Sequence, residues 1–405
     1  MATAFDFKAH LLDDVLPWWL SHGPDVRRGG VFTCWSNDSQ TLVSTDKYTW
    51  SQGRWVYLMA HLAQAAQDGR LPIDADHLLD LAHSSASFIW DHQILPDGRT
   101  AWVTTEDGTV IDPGDGAHQS VFSDMFVALG WGALGQVSGD TTWGQRALDM
   151  LVQARQAILS GDYRCQPYPV PTGYRSLGLP MITVNTAEQV YRATKEQAAL
   201  DLLHQAMDEL VEYHLVGADM AEMPGGPTDE LLAHHRTPGH ILELMWFLWH
   251  ARDLAPDHQL AQADTLAAIA RHALAIGWDD TFGGLLRYTD LTGGKPGGKP
   301  GGFPIESLVL ETWDTKLWWV HAEALYTTAL MDHITGDHDF GSWHTRIADY
   351  VTRHFMEGPG MEWTQNLDRD GSPHEGVVAL PVKDPFHVAR ALLNLVNLTE
   401  SEEFK

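Results

Sequence analysis

Residues 237–250, TPGHILELMWFLWH, decide how the whole chain reads. Thr237 suits an N-cap and Pro238 the first helical position, where its missing N–H costs nothing and its fixed φ already fits. The apolar run behind them carries the helix onward. His240 therefore falls in the first turn, and Glu243, three residues later, projects from the same face. Residues 384–395, DPFHVARALLNL, repeat the layout: Asp384 as cap, Pro385 at the first position, His387 in the first turn, Arg390 three residues beyond. A helix N-terminus carries partial positive charge, which disfavours imidazolium, so both histidines are expected to be neutral, as general bases near neutral pH must be. Two such bases suggest removal of a proton and its return.

Working outward, amphipathic periodicity places helices near 5–21, 47–67, 75–93, 117–138, 141–160, 182–194, 197–216, 238–253, 258–276, 315–334, 339–356 and 385–399. Hairpin-like pieces at 101–112, 282–290 and 361–373 separate some of them, with Asp-Gly as the turn signal in two. No βαβ alternation and no Pro-rich or charged linker divides the chain. Twelve helices in six consecutive pairs predict one domain over 1–405, an all-α (α/α)6 barrel with short β-hairpins in its loops. If the pairs alternate outer and inner, the six inner helices run the same way and their N-termini share one mouth. The polar residues on those inner helices are Lys47 and Arg54, His118 and Asp124, Asn185 and Glu188, His240 and Glu243, His321 and Glu323, and His387 and Arg390. Six helix starts around one cavity suit a developing oxyanion. The segment GGKPGGKP, 293–300, mimics a phosphate-binding loop, but Pro300 stands where the magnesium-holding hydroxyl belongs, and it reads as a flexible loop.

Composition narrows the function classes. The chain has 405 residues, 44% of them apolar, enough for a substantial core, and a net charge of −28, which argues against nucleic acid or an anionic membrane surface. Cys34 and Cys165 are its only cysteines, so neither a disulfide framework nor a cysteine zinc cluster is available, and a cytoplasmic location is expected. No early stretch reads as an export signal and no run reaches membrane-spanning length. The seventeen tryptophans serve either a packed core or walls that stack on sugar rings.

Taken together, GGVFTC (29–34), KYTWSQGRWVY (47–57), PMITVNTAEQ (180–189), TPGHILELMWFL (237–248), WDDTFGGL (278–285), KLWWVHAEAL (316–325) and KDPFHVARAL (383–392) resemble the N-acylglucosamine 2-epimerase family, sugar epimerases and isomerases built on an (α/α)6 barrel. The resemblance implies His240 and His387 as the catalytic acid/base pair, and Arg54, Asn185, Glu243, Trp318, His321, Glu323 and Arg390 as substrate-binding residues. Asn185-Thr186-Ala187-Glu188 matches the N-acyl branch better than the His-x-x-Glu of the mannose-isomerase and cellobiose-epimerase branches.

The expected reaction is inversion at C2 of an aldose, of the N-acetylglucosamine/N-acetylmannosamine or glucose/mannose type, through an enediolate. Arg54 and Arg390 are the fixed cations expected to face its oxygen. An aldose–ketose isomerase is the nearest alternative, returning the proton to C1. A glycoside hydrolase on the same barrel would need paired carboxylates, for which Asp124 and Glu362 are candidates; a non-catalytic sugar-binding protein has no need of matched histidines. No cofactor and no metal are expected, since neither His-Glu-x-x-His nor a cysteine cluster is present. The expected partner is a small-molecule sugar, with no nucleic acid and no membrane, for a monomer or homodimer.

Overall fold

The helices expected from periodicity are all present in the computed structural model, which describes residues 5–376 and 381–400. In chain order they are α1 (7–22), α2 (Thr49–Gln67), α3 (75–93), α4 (Val121–Ser138), α5 (Thr141–Ser160), α6 (Gly178–Thr194), α7 (197–214), α8 (Leu231–His234), α9 (Pro238–His250), α10 (Ala263–Gly277), α11 (Pro304–Thr312), α12 (Trp318–Thr335), α13 (His338–His354) and α14 (Phe386–Glu400). Helices α1, α3 and α7 each pass through a π-helical turn. Two helices were not expected, α8 and α11; both are short and lie outside the barrel pairs.

Helices α2, α4, α6, α9, α12 and α14 pack each on the next, and α14 returns to α2, so the inner ring closes. The outer helices pack on this ring and fill the grooves between its members, as in the (α/α)6 barrel read from the sequence. One contiguous apolar core runs from Leu11 to Leu398. The inner helices α2 and α4 are buried nearly all round, whereas outer helices such as α13 are amphipathic; that difference follows from having neighbours on every side or on one.

Closure demands close approach between α2 and α4. A Cβ on Gly53 would lie 2.4 Å from the Phe126 carbonyl oxygen, and one on Gly130 would lie 2.3 Å from that of Gly53. These two glycines let the backbones touch and place Arg54, the next residue, at the ring's inner surface.

The strand segments differ from the local hairpins expected. Three strands run straight into inner helices and pair with segments distant in sequence: Lys47–Tyr48 with Val103–Thr104, His235–Arg236 with Thr289–Asp290, and Lys316–Leu317 with Asn366–Leu367. The local turns survive as single bridges, Thr104 to Val110 and Leu367 to Pro373 among them. Buried lysines pin two of these helix entrances. Lys47 Nζ donates to Asp25 Oδ2 at 2.8 Å and to the Gly29 and Glu106 carbonyls, and Lys316 Nζ donates to Asp279 Oδ2 at 3.2 Å and to the Gly283 carbonyl. Lys47 is therefore a structural pin rather than part of the mouth's polar lining.

The GGKPGGKP stretch is packed down rather than open. Gly297 N–H donates to Asp290, Leu231 N–H to the Lys299 carbonyl, and the amides of Gly301, Gly302 and Phe303 all donate to the Glu306 carboxylate. Within 293–300 the Gly297 amide is spent on the Asp290 carboxylate, and those of Gly293 and Lys299 on the Asp290 and Asp229 carbonyls. The segment continues into α11 and joins Tyr174, Met223, Leu231, Leu232, Tyr288, Ile305 and Val309 in a second, smaller apolar cluster. No helix among the described residues is long and apolar enough to cross a membrane. Cys34 and Cys165 are both buried and unbonded to each other.

Gly53→Ala is expected to destabilise the protein by about 1–3 kcal/mol, the usual cost of overpacking a close contact, because neither backbone can give way without opening the ring. Denaturant unfolding measures it, and a neutral result would show that α2 and α4 can separate freely.

Candidate active site

A cavity of about 200 Å³ opens where the inner helices begin, lined by Arg54 from α2, His240 and Glu243 from α9, Trp318 and Trp319 from α12, and Asp384 and His387 from the start of α14. The first helix start forms as the sequence suggests, and the second begins one residue later than expected, at Phe386, with Pro385 rather than Asp384 in the cap position. Thr237 holds the cap position with extended backbone and Pro238 the first turn. At the second start, Asp384 Oδ1 accepts the Phe386 N–H at 3.2 Å.

Trp319 organises the pair of histidines. Its ring centroid lies 5.3 Å from that of His240 and 5.5 Å from that of His387, so one indole touches both imidazoles. This contact depends on Gly239, where a Cβ would sit 2.6 Å from Trp319 Cζ3. The glycine of Pro-Gly-His is thus required by an aromatic ring on another helix.

The two imidazoles sit in opposite electrostatic settings. His387 Nδ1 meets Glu323 Oε1 at 2.7 Å, which fixes the ring and leaves Nε2 for the cavity. Burial, with the Arg54 and Arg390 guanidinium groups nearby and against the pull of Glu243, pushes its pKa down to about 3. For His240, burial also favours the neutral ring, but the Glu222 carboxylate, 3.0 Å from Nδ1, outweighs it by charge and hydrogen bond and raises the pKa. Glu222 is correspondingly held at about 2: burial opposes its ionisation, and the His240 charge prevails. His387 is thus held toward the neutral form as expected, but by burial and two guanidinium groups rather than by a helix terminus, whereas His240 departs from the expectation because its carboxylate partner outweighs burial.

Behind His387 lies a buried ionic network. Arg390 Nη2 donates to Glu243 Oε1 at 2.5 Å and to Glu323 Oε1 at 2.7 Å, and Trp246 Nε1 donates to Glu323 Oε2 at 2.7 Å. Arg390 and Glu323 thus stand beneath His387, outside the residues that line the cavity, and the guanidinium expected to face a substrate oxygen holds Glu243 and Glu323 through Nη2. Arg54 does reach the cavity. Its guanidinium is flanked by Phe126, Phe386 and Trp50 at 4.1, 4.8 and 5.0 Å, and Asp384 Oδ2 lies 3.3 Å from Nη1.

The structure does not bring the remaining expected residues to the cavity. His321 Nδ1 meets the Leu317 carbonyl at 2.8 Å and its Nε2 accepts the Leu285 N–H at 2.9 Å; with both nitrogens committed to backbone and the ring stacked on Tyr350, it braces the 278–285 turn against α12. Asn185 is buried on α6 outside the lining, and Glu188 pairs with Arg192. Asp124 accepts from Thr100 and neighbours His118, while Glu362 accepts from Trp19, so neither of the two carboxylates named for a glycosidase lines the cavity. Sequence reasoning missed Glu222, Trp319 and Arg287. Glu222 lies on a loop after a hairpin, where no periodicity marks it; a lone carboxylate between two methionines was its only signal.

Among solved structures, a sugar epimerase from a ruminal bacterium superposes with a TM-score of 0.77 over 98% of both chains at 18% identity. Cellobiose 2-epimerase from Bacillus thermoamylovorans gives 0.74 over 96% of this chain and 98% of its own, at 16% identity. The fold is the (α/α)6 barrel of the sugar epimerases. The family model for N-acylglucosamine 2-epimerase matches residues 29–391, and the N-acylglucosamine 2-epimerase of Bos taurus is 29% identical over 403 residues, covering 96% of this chain and 89% of that protein. The chain belongs to the N-acylglucosamine 2-epimerase family, and with it to the isomerase-class enzymes.

Glu222→Gln removes the largest charge that favours imidazolium, leaving burial and Arg287 to oppose the weaker pull of Glu243, so the His240 ring is expected to titrate below 6.5 instead of above it. An NMR titration of the ring resonances reads this directly. A His240 pKa that stays raised in the variant would place its cause elsewhere.

Proposed function

We propose that this protein is a sugar 2-epimerase that interconverts C2 epimers of an aldose, of the N-acetylglucosamine/N-acetylmannosamine or glucose/mannose type, by deprotonation and reprotonation through an enediolate. The observation that carries the reading is a single indole touching two histidines of opposite protonation preference. Environments that push two titratable groups apart mark the base and the acid.

In the open-chain sugar the aldehyde acidifies the C2 hydrogen. Neutral His387 Nε2 accepts that proton, the C2 electron pair forms the C1–C2 double bond, and negative charge moves to O1. Arg54, the guanidinium lining the cavity, faces this charge; removing such a donor costs on the order of 10²–10³ in rate. His240, as imidazolium, then gives its proton to the opposite face of C2, the carbonyl re-forms, and the configuration is inverted. The proton now rests on the His387 side, which is where the reverse reaction begins. Each acid/base partner contributes roughly 10²–10⁴-fold. An aldose–ketose isomerase would return the proton to C1 and needs only one of these faces; histidines on two inner helices favour inversion.

Glu243, Glu323 and His387 offer atoms within 4.8 Å of one another, a spacing that a metal site could use. The Arg390 guanidinium already bridges the two carboxylates, so the positive charge at this point comes from the protein. Activity is accordingly expected to survive exhaustive chelation; loss on chelation with recovery on adding a divalent ion would overturn that.

In deuterated water, product is expected to gain deuterium at C2 while unreacted substrate gains little early on; heavy retention of the original hydrogen would indicate one base swinging between faces. His240→Asn and His387→Asn should each abolish epimerisation, yet each should still exchange the C2 hydrogen of one epimer, a different one in each variant. Near-normal epimerisation by either variant would make that histidine structural.

A further inference from the structure

Four arginines are buried among the described residues, and three have carboxylate partners: Arg155 with Glu209, Arg236 with Asp219, and Arg390 with Glu243 and Glu323. The fourth, Arg287, is 3% exposed and lines the cavity, yet no carboxylate among the described residues lies within 4.0 Å of it. Its hydrogen bonds go to neutral hydroxyls, Nη1 to Thr312 Oγ1 at 3.1 Å, Nη2 to Tyr168 Oη at 3.2 Å, and a further one to Tyr288, whose ring centroid lies 4.9 Å from the guanidinium carbon; none of these partners is an anion. Guanidinium cannot shed its charge to relieve burial, as lysine can. Taking such a charge from water without an opposite charge beside it is costly, and the cost is offset when an anion arrives.

The surroundings hold the group in place for that purpose. Arg287 follows the Gly283–Gly284 turn and precedes strand Thr289–Asp290; Thr312 belongs to α11, and Tyr168 to the segment before α6. Tyr168, Met223, Tyr288 and Ile305 stand with it in the cavity wall, so it is a wall built by the smaller apolar cluster rather than by the catalytic helix starts. Its charge reaches His240, where it opposes protonation.

We infer that Arg287 and Tyr168 form a subsite for an anionic substituent of the sugar, a carboxylate or a phosphate carried away from the reacting C1 and C2 atoms. The fork of guanidinium N–H groups matches either anion in bidentate fashion, and the Tyr168 hydroxyl adds a hydrogen bond. Within the proposed epimerase reading this points to aldoses of the glucose/mannose type that carry a carboxylate or a phosphate. This inference rests on the cavity being the sugar site.

The test titrates wild-type protein with mannose, mannuronate, mannose 6-phosphate and N-acetylmannosamine, reading quenching of tryptophan fluorescence, since Trp50, Trp318 and Trp319 line the cavity. At least one of the two anions is expected to bind about ten-fold or more tighter than mannose, and which one does so separates sugar acid from sugar phosphate. In Arg287→Met that preference should vanish while mannose binding changes little. Arg287→Lys, which keeps the charge but not the fork, should retain part of it, and it also guards against a methionine variant that does not fold. If neither anion outbinds mannose, or if the preference survives in Arg287→Met, the inference is overturned. A gain for N-acetylmannosamine alone, lost in Arg287→Met, overturns it too and reassigns the arginine to an acyl carbonyl. C2 hydrogen exchange in deuterated water on the same sugars keeps the two readings apart: exchange of neutral sugars without anion preference leaves the epimerase standing, and Arg287-dependent anion binding without any C2 exchange leaves the subsite standing.

Discussion

The Arg390 guanidinium is the charge on which the catalytic wall depends. It bridges Glu243 of α9 and Glu323 of α12 from its own place on α14, so three consecutive members of the inner ring share one buried ion network. The network stabilises the fold chiefly by being complete: removing any one member would strand a buried charge at a cost of about 3–5 kcal/mol. The same network sets the first histidine. Glu323 Oε1 meets His387 Nδ1 while also accepting from Arg390, and Trp246 holds the other oxygen, Oε2.

From this follows the difference between the two histidines. His387 is deep, beside cations, and neutral; His240 is more open, backed by the Glu222 carboxylate, and inclined to carry a proton. Two identical bases would leave each turnover waiting for a proton on whichever ring must act as acid. In the proposed reaction an unequal pair would share one proton and begin with it in place. The asymmetry also enters stability. Protonated His240 stabilises the fold below its unfolded value of about 6.5, a contribution lost as pH rises through its raised native pKa, whereas His387 costs stability as pH falls from about 6.5 toward 3.

The barrel and its helix starts supply the chemistry, and the cover supplies the shape of the cavity. Short helices α8 and α11, with the glycine-rich stretch between strand Thr289–Asp290 and α11, pack into the smaller apolar cluster that closes the cavity's far side. Arg287 belongs to that cover. The proposed selectivity residue thus sits in a separately packed part and is coupled to the reaction through the charge it exerts on His240.

The sequence by itself determined the twelve barrel helices, their pairing and the position of the two Pro-bearing helix starts to within a residue, because periodicity and capping are local: Thr237, Pro238, Asp384 and Pro385 act within a few residues of themselves, whereas the short α8 and α11 carry too little periodicity to be seen. It also placed His240, His387, Arg54 and Glu243 at one mouth, since six inner helices of one polarity have nowhere else to put their first turns. What only the tertiary structure decided are partnerships between residues far apart in the chain. Glu222 lies 18 residues before His240, and Trp319 reaches that histidine from three helices further on. His321 and Lys47 carry the same polar signature as site residues but turn to backbone carbonyls and a buried aspartate. Whether a polar side chain meets solvent, substrate or backbone depends on what other segments leave open, and no spacing within its own helix records that.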